Sequence, residues 1–143
     1  MRELNMQVAS NHPQAIRRLW LIGGIAILLL LWVLSLIPQP PTFGVRNEDK
    51  FFHAVAYGGT MWWWGQYWPS LRRRLLLAIV FTLMGIAVEF VQGWTGWRTF
   101  DTHDMVANGI GVLLGWVLVQ TPAGSLLSRL DSAVLRRRIQ PGE

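Results

Sequence analysis

Few charged side chains interrupt the apolar stretches of this sequence, and those that do fall into three short groups. The first is Asp49, Lys50, His53 and Tyr57. Asp49, His53 and Tyr57 recur at i, i+4 and i+8, so a helix would carry them on one face. The second group is Glu89 with Gln92, spaced i, i+3. The third is Arg98, Asp101, Asp104 and Asn108, where a helix beginning near Thr102 sets Asp104 and Asn108 on a common face. Histidine and carboxylate can accept protons, and lysine and arginine can hold an anion. Glu89, His53 and Asp104 are therefore the candidate proton-transfer residues, and Lys50 and Arg98 the candidate anion contacts. Asp49, Tyr57, Gln92, Asp101 and Asn108 form the supporting polar network.

Each group also has a plainer structural use. Asp101 and Asp104 suit the first turn of a helix, where acids meet the positive end of the dipole. His53 and Tyr57 suit hydrogen bonds between helices, and Lys50 and Arg98 suit an interface where stems lie on apolar surface. Glu89 resists such a reading, because an acid inside an apolar helix costs on the order of 2 kcal/mol or more unless paired. The run Asp101-Thr102-His103-Asp104, with His53 and Glu89, contains ligand types but no diagnostic metal spacing, so no metal and no cofactor is expected. A glycine-rich phosphate loop and a GxSxG elbow are both absent from the sequence.

The elements that must position these residues are apolar helices. Of 143 residues, 52% are apolar and 15% charged. The apolar residues gather into four blocks, 19–37, 51–68, 75–91 and 105–121, each nearly free of Lys, Arg, Asp and Glu. A bilayer core of roughly 30 Å needs about 20 helical residues, so each block is a near-minimal span. The expected fold is all-α, an integral membrane bundle of four transmembrane helices. A polar leader (1–18) precedes the domain (19–121), and a basic tail (122–143) follows it. Pro38, Pro40 and Pro41 should stop the first helix, and Pro69 with Arg72, Arg73 and Arg74 should form a tight turn. The first block is long for a signal peptide and reads as an uncleaved anchor.

Basic residues set the orientation. Leader, second loop and tail hold ten Lys and Arg; the first and third loops hold three, with Glu48, Asp49, Asp101 and Asp104 beside them. Both termini are thus expected in the cytoplasm, and the three polar groups on the opposite side. Glu89 lies 15 residues past Arg74, about 22 Å of rise, still inside the apolar zone. A pI near 11.1 therefore reflects topology, and nucleic acid is not an expected partner. Most of the nine tryptophans lie toward block ends, as expected of interfacial anchors. Gly111 and Gly115 form a GxxxG, with Gly109 also thinning the fourth helix, and Gly58 and Gly59 offer the second helix a similar close approach. With no cysteine, disulfides, thiolate zinc sites and lipidated cysteines are excluded.

The same residues, in this order, resemble the VanZ-like family of small bacterial membrane proteins. Asp49-Lys50 with His53 and Tyr57 match its D-K-x-x-H-x-x-x-Y stretch, and Glu89 with Gln92 its E-x-x-Q. Arg98, Asp101, Asp104, Asn108 and Gly111 match R-x-x-D-x-x-D-x-x-x-N-x-x-G. The resemblance spans roughly residues 49–119. It implies a multi-pass protein of the bacterial cytoplasmic membrane with a role in lowered susceptibility to teicoplanin-type antibiotics. Two functions are consistent with this pattern. One is an enzyme or carrier for an anionic, lipid-linked envelope substrate; the other is a non-catalytic protein whose polar groups fix helix packing or bind a partner. Membrane lipids are the expected surroundings in both.

Overall fold

The protein is seen here as a computed structural model that describes residues 2–38 and 43–139, with side chains for 15–38 and 43–133. Pro40 and Pro41 lie outside the described residues, as do the side chains of Arg136, Arg137 and Arg138. The described chain is all-helical: α1 (Arg2–Leu36), α2 (Glu48–Tyr67), α3 (Leu71–Thr95), α4 (Thr102–Leu118), a single 3₁₀ turn (Pro122–Ser125) and α5 (Leu126–Ile139).

By length and hydropathy two stretches qualify as membrane spans, Ala15–Leu36 within α1 and Leu71–Thr95. A third is reached if α4 and the helix after it, bent by 73°, are taken as one broken span. Four were expected. The shortfall has causes in composition and length: α2 carries His53, Gln66, three glycines and a Trp-Trp-Trp run, and α4 has only 17 residues. Element ends also differ from the apolar blocks. The helix of α1 continues back through the leader, whose segment 14–18 contains good helix formers. α4 starts at Thr102, three residues before its apolar block, because Asp101 caps it by accepting from the His103 N–H at 2.8 Å. The tail is itself helical, and Leu127 is buried, its N–H donating to Gln66 Oε1 at 3.2 Å.

The arginine turn is likewise helical. α3 begins at Leu71, and Arg74 Nε donates to the carbonyls of Gly65 (3.0 Å) and Trp68 (3.2 Å) at the end of α2. A cation at a helix C-terminus meets the negative end of the dipole and satisfies carbonyls that have no helical partner.

Tryptophans divide between packing and surface. Trp20 is 8% exposed and stacks on Trp63 at 3.9 Å, and each indole N–H donates to the other's backbone carbonyl. This pair joins α1 to α2 and is no interfacial anchor. Trp94, at 91% exposed, fits the anchor expectation.

The closest helix contact is between α2 and α4. A Cβ at Gly111 would strike the Ala54 carbonyl, and one at Gly115 the Gly58 carbonyl. Gly59 and Gly109 have open space around their Cβ positions, so they do not share this contact as the sequence reading expected. The core beneath it is Leu31, Tyr57, Met61, Phe81 and Val112. We predict that Gly111→Ala and Gly115→Ala each lower stability by about 1–3 kcal/mol through overpacking. Gly59→Ala should leave it equal or raised, alanine being the better helix former by about 1 kcal/mol. Thermal unfolding of the detergent-solubilised protein reads the difference.

Candidate functional site

The polar groups from three separate stretches meet at one end of the helices. Lys50, in the first turn of α2, places Nζ 3.0 Å from Asp49, 2.9 Å from Asp101 and 3.0 Å from Asp104 Oδ1. One turn on, His53 faces α4: its Nδ1 lies 2.9 Å from Asn108 Oδ1, and its Nε2 is 3.7 Å from Asp104 Oδ2. Glu89 closes the site from α3. It is 0% exposed, with Oε1 3.9 Å from His53 Nδ1 and Oε2 3.4 Å from the Asp101 backbone N–H.

This register follows from local structure. Asn108 lies three residues before Gly111, and His53 one before Ala54, so the α2–α4 backbone contact holds them together. Asn108 Nδ2 also reaches the Gly85 carbonyl of α3 at 3.5 Å, a long contact that turns its oxygen toward the histidine. A Cβ at Gly85 would crowd Asn108, which is how α3 comes near enough.

Not every candidate takes the expected place. Gln92 is buried but faces α1, donating to the Ser35 carbonyl at 2.7 Å. Tyr57 shares the His53 face, yet its buried hydroxyl makes no hydrogen bond among the described residues, against the interhelical bond expected of it. Arg98 is half-buried, and no carboxylate of the described residues comes within ion-pair distance, so it does not pair with Glu89. His103 is 79% exposed at its side chain and bonds to Asp101 at 2.9 Å, outside the buried cluster.

Sequence reasoning missed a cavity of about 360 Å³ between α1 and α2. Its apolar walls include Leu31, Leu34 and Val55, while His53, Asp49 and Arg98 supply a polar part. Nothing in the spacing of α1 announced a wall, because residues there are apolar all round.

Electrostatically, the Lys50 group is a solvent-side lock. Its ammonium is pushed up from the ordinary lysine range by Asp101 first, then by Asp49 and Asp104. The Asp101 carboxyl is held below the usual carboxylate range by Lys50, then by hydrogen bonds from His103. A carboxylate lowered in the folded state stabilises above its unfolded value and loses that contribution as pH falls through the folded one. This contact should thus be intact at neutral pH and be lost in acid, as Asp101 takes up a proton.

The chain belongs to the VanZ/LLP1 family, whose model matches residues 8–123. It is 33% identical over 116 residues to an uncharacterized protein of Schizosaccharomyces pombe, covering 79% of this chain and 70% of that one. No solved structure matches it significantly. The family and the two apolar helices together indicate a membrane protein.

Burial ranks the contacts of Lys50. Asp104 is 9% exposed at its side chain and Asp49 50%, so removing the ammonium strands Asp104 in particular. A buried group left unsatisfied costs about 1–3 kcal/mol, whereas an exposed pair contributes little. A double-mutant cycle of Lys50→Met with Asp104→Asn should give a coupling of at least about 1 kcal/mol. The cycle with Asp49→Asn should give less than half of that, read from thermal or denaturant unfolding.

Proposed function

We propose that this protein binds an anionic, acyl-bearing lipid of the cell envelope, with the head group at Arg98 and His53 and the chain along α1. The observation that carries this reading is the cavity, lined by Leu31, Leu34 and Val55 and, at its polar part, by Glu48, Asp49 and Arg98, of which Arg98 has no carboxylate within ion-pair distance among the described residues. Arginine matches phosphate geometry well and is favoured where an anion must be held away from water. His53 borders both the cavity and the buried acids Glu89 and Asp104, so a head group held at Arg98 lies next to the buried cluster.

In this proposal all four helices cross a bacterial cytoplasmic membrane, through residues 19–37, 51–68, 75–91 and 105–121. The ten-to-three distribution of basic residues supports placing both termini in the cytoplasm and the site on the outer side. α2 and α4 pack backbone to backbone, which covers the polar face of α2. Engaging a lipid-linked envelope precursor there would link the protein to altered susceptibility to teicoplanin-type antibiotics.

A second reading is that the polar groups serve only to lock helices. One observation favours it: Lys50 neutralises acids on both sides of the α2–α4 contact. The readings separate on Arg98→Gln and His53→Ala. Lipid binding predicts normal folded abundance with anionic lipid, co-purified and identified by mass spectrometry, reduced at least about tenfold for Arg98→Gln, one charge-assisted contact being about 1.5–3 kcal/mol. Equal lipid in wild type and variant, or loss of folded protein in both variants, supports the packing lock. For topology, a green fluorescent reporter at the C-terminus should shine and an alkaline phosphatase there should be inactive. The reverse pattern overturns the four-span arrangement.

A further inference from the structure

Two neighbouring sets of acids in this site are treated differently by the fold. The outer set, Asp49, Asp101 and Asp104, has its centre taken by Lys50 Nζ at 2.9–3.0 Å from all three. The inner set, His53, Glu89 and Asp104, contains no ammonium or guanidinium within ion-pair distance of Glu89 among the described residues. Glu89 Oε1 is buried there with no hydrogen-bond partner. One ligand atom from each of these three residues lies within 4.8 Å of the other two.

The histidine tautomer sharpens the point. Asn108 turns its NH₂ to the Gly85 carbonyl and its oxygen to His53 Nδ1 at 2.9 Å, so Nδ1 carries the hydrogen. In the neutral ring Nε2 then has a lone pair, and it looks at Asp104 Oδ2 from 3.7 Å. Two acceptors facing one another in a buried space call for a positive centre between them. A ligating histidine that donates its other N–H to an oxygen is the usual support for a metal.

We infer that His53 Nε2, Glu89 and Asp104 bind one divalent cation of the zinc or manganese class, with Asn108 as the positioning residue. Imidazole with carboxylates suits these ions, and three protein ligands leave a coordination position for water or a phosphate oxygen. Bond lengths near 2.0–2.2 Å require the three side chains to draw in from their present spacing, Glu89 toward Nε2 in particular. Asp104 serves both sets, with Oδ1 on Lys50 and Oδ2 on the ion. The site is the one proposed above to face a lipid head group, so the inference rests on that placement. Metal binding is read without lipid, so either idea can fail alone.

The test uses the full chain in detergent, stripped with chelator and loaded with Zn²⁺ or Mn²⁺. Elemental analysis should find about one ion per chain, bound at micromolar concentration or tighter, with a raised thermal midpoint. Glu89→Gln and Asn108→Ala should weaken binding at least about tenfold, and His103→Ala should leave it unchanged. Should Glu89→Gln fail to fold, the wild-type side chains still decide: Mn²⁺ in a chain carrying His12→Ala and His103→Ala must show spin-echo modulation from a single imidazole nitrogen. No stoichiometric ion, no nitrogen modulation, or full binding in folded Glu89→Gln would overturn the site.

Discussion

The backbone contact between α2 and α4 is the constraint on which the rest depends. Helices approach this closely only where side chains are missing, and Gly58, Gly111 and Gly115 supply that gap at successive turns. Because the contact is backbone on backbone, it fixes register as well as distance. A slip by one residue would drive a side chain into a carbonyl. The histidine of α2 and the asparagine of α4 stand just beyond this contact, so their 2.9 Å pairing follows from it.

Around that seam the charges are arranged by depth. Near the helix ends, Lys50 neutralises acids that retain some exposure, and water shares in the screening. Deeper in, Glu89 has a backbone N–H at 3.4 Å and a histidine at 3.9 Å, and Arg98, which lines the cavity, makes no ion pair with it. Low dielectric makes every unpaired charge expensive, so this gradient separates a lock from a site poised to take a positive centre. The cavity beside it gives His53 a second neighbour that the acids do not share.

The outer elements serve to hold this arrangement. α1 is tied to α2 by the Trp20–Trp63 pair and to the loop after α3 by Trp97 Nε1, which donates to the Leu36 carbonyl at 3.1 Å. α5 folds back under α2 through Gln66 and Leu127. Arg74 closes the end of α2. In each case a polar group satisfies a backbone atom at a helix end or crossing, as an apolar surround demands.

Sequence alone determined the helical class, the three polar groups and the pairing of Asp104 with Asn108, because i, i+4 spacing fixes faces whatever surrounds them. GxxxG spacing likewise marked a close approach, since glycine's missing side chain is a local property. Local spacing held no information about partners. Tertiary structure decided that Gly58 and not Gly59 meets α4, that Arg98 lines the cavity unpaired with Glu89, that Gln92 turns to α1, and that Trp20 is buried. It also decided that the tail is a helix docked on Gln66. Such choices depend on which surfaces come within a few ångströms, a property of the packed helices together that no stretch of residues carries by itself.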